Sequence, residues 1–119
     1  MKVIYDFGAN NGDDIPYYLI KADRVVAVEA NPVLADQIKT RFKDEIDSGR
    51  LFVETCAVTA EASAPSVPFY VCIPTHVQST FVKPPEDPNR WNTIEVPARN
   101  VVEIIQQYGD PYYIKIDVE

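Results

Sequence analysis

Apolar residues in the first half of the chain form short unbroken runs that alternate with segments of helical spacing. The runs over residues 3–7, 24–29 and 51–58 predict strands, and the second run is typical of a parallel strand covered on both faces. The two intervening segments predict helices, because their apolar positions recur every three or four residues. Those positions are Ile15, Tyr18, Leu19 and Ala22 in the first helix and Leu34, Ile38, Phe42 and Ile46 in the second.

Capping residues support these assignments and predict a further helix. Asn31 followed by Pro32 is typical of a helix start, and Gly49 is placed to end the second helix. Asn100 and Glu103 form the pattern of a capping box at the start of a third helix.

Prolines concentrate between the second and third helices. Seven of the ten prolines lie within residues 60–97, which indicates irregular structure. Residues 67–73 and 91–96 still alternate as strands do, so we expect an antiparallel excursion with a loop over residues 74–90. That loop holds the only histidine, His76, and a lone histidine in a loop is more often solvated than catalytic.

An apolar run over residues 112–118 predicts the last strand, and its Lys115 and Asp117 share one face. A lysine in a buried strand needs a partner or a route to water, and Asp117 is only a weak candidate for that partner. Strands that alternate with helices favour an α/β fold with right-handed crossovers. A length of 119 residues with 46% hydrophobic content is enough for one compact domain, residues 1–119.

Charge and composition narrow the expected partners. The formal net charge is -7 and neither lysine nor arginine clusters, so nucleic acid and anionic membrane surfaces are disfavoured. The sequence begins without a leader pattern and has no apolar run near about 18 residues, so we expect a soluble, cytoplasmic protein. Cys56 and Cys72 lack the spacing of a metal pair and fit small buried hydrophobes, with a disulfide as the alternative. No metal site is predicted.

Two of the four glycines, Gly8 and Gly12, lie between the first predicted strand and the first helix. Ligands of open α/β sheets bind beyond the carboxyl ends of the strands, where such a loop is expected to offer free backbone N–H groups. The sequence therefore favours a ligand-binding loop over an ordinary turn. Asp6 ahead of the loop, and a glycine spacing unlike Gly-x-Gly-x-x-Gly, disfavour NAD and favour a ligand with positive charge.

Glu29 ends the second predicted strand. It follows Gly12 at close to the spacing of about 20 residues at which nucleotide-binding folds place an acid for ribose. A carboxylate can accept hydrogen bonds from both ribose hydroxyls at once. The alternative interpretation is a solvated strand end without a ligand.

Three segments together resemble one protein family. Residues 6–12 read DFGANNG, residues 26–32 read VAVEANP and residues 114–119 read IKIDVE. Their order and spacing are similar to those of the FkbM family of S-adenosylmethionine-dependent methyltransferases. Members of this family continue past the last motif, so the resemblance implies that the chain is a partial domain.

The resemblance implies a Rossmann-like class I methyltransferase fold, with a parallel sheet of order 3-2-1-4 and its C-terminal strands missing. It implies S-adenosylmethionine as cofactor and O-methylation of a small molecule or sugar hydroxyl. The residues assigned to the cofactor are Asp6, Gly8, Asn10, Gly12, Glu29, Cys56 and Ala57, and the residue assigned to catalysis is Asp117. Packing of helices is an equally supported role for the pair at positions 56 and 57.

Two functions stay open. The chain is the cofactor half of a small-molecule methyltransferase, or it is a non-catalytic binding or interaction module with the same fold. In the full family fold the last strand would lie inside the sheet, yet its second neighbour is not encoded here. We therefore expect the chain to self-associate through the edge of residues 112–118.

Overall fold

A computed structural model describes residues 1–60, 66–72 and 91–117 of the chain. The predicted loop over residues 74–90, with His76, lies outside the described residues. The strands are β1 Val3–Phe7, β2 Arg24–Val28, β3 Leu51–Glu54, β4 Ala57–Thr59, β5 Ser66–Cys72, β6 Trp91–Asn100 and β7 Pro111–Ile116. The helices are α1 Ile15–Lys21, α2 Pro32–Arg41, α3 Lys43–Asp47 and α4 Val101–Tyr108.

Four of the described strands form a parallel sheet with the order β3-β2-β1-β7. β1 lies between β2 and β7, so that Asp6 pairs in register with Ala27 on one side and with Lys115 on the other. β7 is the fourth parallel strand along the chain. The predicted α/β fold and the predicted strand order 3-2-1-4 are therefore confirmed.

The remaining described strands form a second sheet with the order β4-β6-β5. β5 and β6 pair antiparallel from Ser66 opposite Pro97 to Cys72 opposite Trp91, which confirms the predicted antiparallel excursion. β6 continues to Asn100, beyond its predicted end, and its last residues pair in parallel with β4.

Two predicted elements are divided in the structure. The strand predicted over residues 51–58 is in fact β3 and β4, separated by Thr55 and Cys56, because β4 leaves the parallel sheet to pair with β6. The second predicted helix is α2 followed by α3. Phe42 between them has φ -114° and ψ 34° and buries its ring in the core. Apolar periodicity predicts continuous elements and does not detect such breaks.

Each face of the parallel sheet carries a hydrophobic cluster. Alternate residues of β1 point to opposite faces. Ile4 packs with residues of α1 and α2, whereas Tyr5 and Phe7 pack with Ile104 of α4. Because Asp6 alternates with Tyr5 and Phe7, its side chain lies on the face covered by α1 and α2.

The predicted helix caps are confirmed. The Asn31 side chain accepts a hydrogen bond from Val33 N at 3.0 Å, and the Asn100 side chain accepts one from Val102 N at 2.8 Å. Gly49, after α3, has φ 79°, a left-handed angle that favours glycine. None of the helices that the structure describes is long and apolar enough to cross a membrane.

Candidate functional site

The loop that follows β1 lies at the carboxyl end of the parallel sheet and has a left-handed backbone at three positions. Gly8 and Gly12 both have φ 85°, and Asn10 has φ 56°. Glycine adopts such angles freely, and asparagine tolerates them better than most residues. Both glycines of the loop therefore meet a backbone requirement that most other residues would meet only with strain.

The backbone N–H groups of this loop are largely used within the protein. Gly8 N and Ala9 N both donate to Val28 O, at 2.8 and 3.1 Å, and Gly12 N donates to Ala9 O at 2.9 Å. The expectation that the loop offers these N–H groups to a ligand is therefore wrong for the three of them. They hold the loop against the end of β2 instead.

Gly12 is required by packing as well as by its backbone angle. A Cβ atom at this position would lie 3.0 Å from Phe42 Cε2 and 3.2 Å from both Ile15 Cδ1 and Ile38 Cγ1. Contacts this close force neighbouring atoms to move. The missing side chain at Gly12 lets the loop rest directly on the core beneath α1 and α2.

Glu29 directly follows β2 and joins the loop to the start of α2. Its side chain is buried, at 7% exposure. Its Oε1 accepts a hydrogen bond from Asn10 N and its Oε2 accepts one from Asn31 N, both at 2.8 Å. Burial raises the pKa of Glu29, and these backbone donors partly offset that rise. A carboxylate has about four acceptor sites, so Glu29 retains acceptor capacity for a ligand hydroxyl beside its backbone donors Asn10, Asn31 and Ala30.

Asp6 is the most deeply buried acid near the loop. Its exposure is 0%, and neither carboxylate oxygen has a hydrogen-bond partner among the described residues. Burial raises the pKa of Asp6 to about 6, and the positive charge of Lys115 opposes that rise. The carboxylate lies beneath the loop, so in this conformation it can act on a ligand through its charge but not by direct contact.

Lys115 has a partner that sequence reasoning did not find. Its Nζ lies 2.5 Å from Asp14 Oδ2, at the residue that precedes α1. Asp117, the weak candidate from the sequence, follows β7 with an exposed side chain, and Lys115 pairs with Asp14 instead. Local sequence patterns hold no signal for this pair, because its two residues lie 101 positions apart.

The sequence predicted one strand over residues 51–58 with Cys56 and Ala57 near its carboxyl end, but Cys56 lies between β3 and β4 and Ala57 begins β4. Cys56 is free, buried at 3% exposure and packed with Ile104, and burial raises the pKa of its thiol to about 11. Ala57 packs with Ala30, the residue after Glu29. It also lines a shallow groove whose wall is formed by Ala57, Val58, Thr59, Val67 and Pro68.

Asp117 lies at the carboxyl end of β7. Its backbone N donates to Phe7 O at 2.8 Å, which places it beside Gly8 at the start of the loop. Its side chain is exposed, in contrast with those of Asp6 and Glu29. The structure therefore brings one exposed and two buried carboxylates to the same edge of the sheet.

A polar cluster on the opposite face of the sheet was also missed by sequence reasoning. Glu54 Oε1 lies 3.0 Å from Arg99 Nη1 and accepts a hydrogen bond from the Tyr108 hydroxyl. Glu54 O accepts from Glu29 N at 3.0 Å. The cluster therefore connects β3, β6 and α4 directly behind Glu29. Its only signal in the sequence is a glutamate that interrupts an apolar run.

The chemistry of this edge fits a cationic nucleoside ligand. The residues that converge on it are acidic or small, and Glu29 has acceptor capacity left for hydroxyl groups. Among the described residues, no group of three or more His, Cys, Asp or Glu side chains could hold a metal ion. S-adenosylmethionine, the cofactor that the sequence resemblance implies, is a ligand of this class because it carries a positive sulfonium and a ribose.

The family model described as Methyltransferase FkbM domain matches residues 6–119 of the chain. A comparison with curated proteins and a comparison with solved structures each found no match. The matched range contains the loop after β1, Glu29 and Asp117, and it confirms the resemblance that these motifs carry in the sequence. The chain therefore belongs to the FkbM family of methyltransferase domains.

Proposed function

We propose that the chain binds S-adenosylmethionine at the carboxyl ends of β1 and β2 and serves the transfer of its methyl group to a hydroxyl of a small molecule or sugar. Membership of the FkbM family supports methyl transfer in general. The observation that carries the cofactor assignment is the position of Glu29. Its carboxylate lies directly behind the left-handed loop and keeps acceptor capacity beside its backbone donors.

In this proposal Glu29 accepts hydrogen bonds from the two hydroxyls of the cofactor ribose. The backbone donors at Asn10 and Asn31 fix the carboxylate in one orientation, so no rotamer freedom is lost when a ligand arrives. Two charge-assisted hydrogen bonds of this kind give both affinity and orientation. A rigid acceptor at the end of β2 therefore suits the positioning that methyl transfer requires.

Gly8, Asn10 and Gly12 shape the wall of the cleft rather than donate to the ligand. Ala57 and the apolar groove that it lines offer a surface for the adenine ring, since this groove adjoins Ala30 next to Glu29. Cys56, the residue before Ala57, packs into the core with Ile104.

The cofactor supplies an electrophilic methyl group on a positively charged sulfur when it is bound. Asp6 contributes negative charge from beneath the loop, and Asp117 contributes it from the exposed end of β7. Because Asp117 is exposed, it is also able to orient an acceptor hydroxyl or to take its proton. We assign it that role.

A calorimetric titration tests the cofactor assignment. The purified chain should bind S-adenosylhomocysteine and should show no comparable heat with NAD. Failure to bind either S-adenosylmethionine or S-adenosylhomocysteine would remove the proposal, and a preference for NAD would replace it with a dehydrogenase-type site.

Turnover separates the enzyme from a non-catalytic module of the same fold. Release of S-adenosylhomocysteine from S-adenosylmethionine is measured with a panel of sugars and small alcohols as acceptors. Release that an Asp117→Asn variant loses, while its affinity for S-adenosylhomocysteine with its neutral sulfur is kept, supports the catalytic role. Binding without release on any acceptor favours the non-catalytic module.

A further inference from the structure

Three charged side chains from separate elements meet beneath the start of α1. Asp6 of β1 and Lys115 of β7 are register partners on adjacent strands, so their side chains lie on the same face of the sheet. Lys115 Nζ lies 2.5 Å from Asp14 Oδ2, just before α1. The proposed function gives Lys115 no role, although it is the cation at the centre of this group.

Asp6 depends on its neighbours for any compensation of its charge. It is fully buried without a hydrogen-bond partner among the described residues, and an uncompensated buried carboxylate is strongly unfavourable. The positive charge of Lys115 favours the ionised form of Asp6. Asp14, Glu29 and Asp117 disfavour that form by like-charge repulsion.

The surroundings of Asp6 include one further titratable group, which belongs to α1. The Tyr18 side chain is buried, and burial together with the negative charge of Asp6 raises the pKa of its hydroxyl. Tyr18 also contacts Tyr113, two residues before Lys115, with 6.1 Å between the ring centroids. Lys115 is therefore enclosed by β1, β7 and α1, and its exposed fraction is 28%.

We propose that Lys115 is a positioning residue of the cofactor site. Its single ammonium group holds the start of α1 through Asp14 and compensates the buried charge of Asp6, and so it fixes the loop of residues 8–12 on the sheet. The part of this proposal that concerns ligand affinity rests on the proposed function. The part that concerns Asp6 does not, because it can be measured without a ligand.

The ligand-free test compares the wild-type chain with Lys115→Met by urea unfolding at about pH 5 and about pH 8. The pKa of Asp6 is about 6 with Lys115 in place, and it rises further when the ammonium is removed. A raised acid pKa means that stability falls as the pH rises through it. We therefore expect Lys115→Met to cost more stability at about pH 8 than at about pH 5.

Asp6→Asn provides the matched background. In that background Lys115→Met should lower the free energy of unfolding by the same amount at both pH values, because the carboxyl group that responds to the Lys115 ammonium is gone. An equal cost at both pH values in the presence of Asp6 would overturn the coupling and leave Lys115 as a link to Asp14 alone.

Asp14→Asn should shift the pKa of Asp6 in the opposite direction to Lys115→Met. It keeps the test decisive if Lys115→Met does not fold. Removal of this negative charge favours ionised Asp6, so the loss of stability with rising pH should end at a lower pH than in the wild type. An unchanged profile would contradict the proposal.

Calorimetric titration with S-adenosylhomocysteine tests the ligand part. Lys115→Met should bind about tenfold more weakly, the scale of one charged hydrogen bond, and Lys115→Arg should stay within about twofold of the wild type. Wild-type affinity in a folded Lys115→Met variant would overturn the positioning role. If the wild type itself does not bind, the proposed function fails together with this ligand part, whereas the coupling to Asp6 is judged on the pH profiles.

Discussion

β1 has a parallel neighbour on each side, and the two neighbours differ sharply in burial. The last four residues of β2 are all buried, with β3 on the far side of that strand. In β7 Tyr112, Tyr113 and Ile116 are exposed, at 59%, 51% and 70%. Among the described residues no strand lies beyond β7. Similar apolar runs thus form a buried strand or an exposed edge strand, depending on which neighbouring elements cover them. The sequence of the run does not encode that covering.

The polar groups beside β2 and beside β7 are held by different kinds of interaction. On the β2 side Glu29 is fixed by backbone donors, which keep their hydrogen atoms at any ordinary pH. On the β7 side Asp6 and Lys115 interact through charge, and Asp6 has a pKa raised by burial to about 6. We expect the β2 side to give the site its geometry and the β7 side to contribute most of its sensitivity to pH, since the backbone donors partly offset the rise in the pKa of Glu29.

The largest expected effect comes from placing a side chain where the loop meets the core. Gly12→Ala should lower the free energy of unfolding by about 2–5 kcal/mol, since left-handed strain of about 1–2 adds to overpacking of about 1–3. The clash would fall on Phe42 Cε2, 3.0 Å from the new Cβ. Chemical denaturation measures it.

Gly49→Ala is the matched control for this variant. Gly49 has φ 79°, close to that of Gly12, and an added Cβ would meet nothing within 4 Å. Its cost should be the backbone strain alone, about 1–2 kcal/mol. Equal costs for the two variants would show that the loop does not rest on the core as described.

The fold was more predictable from the sequence than the site was. Unbroken apolar runs identify buried parallel strands, and the caps at Asn31 and Asn100 mark helix starts, because both signals are local. The pairing of Lys115 with Asp14 joins residues 101 positions apart, and it depends on how α1 crosses β7. The break at Thr55 likewise depends on the distant strand β6, which draws β4 out of the sheet.

Asp6 should make the stability of the chain depend on pH in an unusual direction. Its folded pKa of about 6 exceeds its ordinary value of 3.8, so the folded state binds more protons between these values and stability falls as the pH rises across them. The total loss in the free energy of unfolding across this range is about 3 kcal/mol. Urea unfolding of wild type and Asp6→Asn at several pH values should show a steeper fall in the wild type, because the raised pKa of Glu29 leaves a fall in the same direction in the variant. Parallel profiles would mean that Asp6 ionises freely in the folded chain.

We propose that two copies of the chain associate through the exposed edge of β7. We expect this self-association to be weaker than the effects above. An edge strand with exposed apolar side chains is a template for pairing with another strand. Ile116→Lys should reduce dimer formation at micromolar concentration in sedimentation velocity. Val33→Lys, at an exposed valine of α2 on the other side of the molecule, is the control and should leave it unchanged. A clean wild-type monomer at that concentration would contradict the proposal.

The central claim is that Glu29 carries cofactor affinity at the end of β2. Its most direct test is calorimetric titration of S-adenosylhomocysteine into the wild type, Glu29→Ala, and Glu103→Ala as a control at an exposed glutamate of α4. Circular dichroism establishes that each variant is folded, because Glu29 also binds Asn10 N and Asn31 N. We predict that Glu29→Ala loses about 1.5–3 kcal/mol of binding free energy and that the control loses none. A folded Glu29→Ala variant with wild-type affinity would contradict the claim.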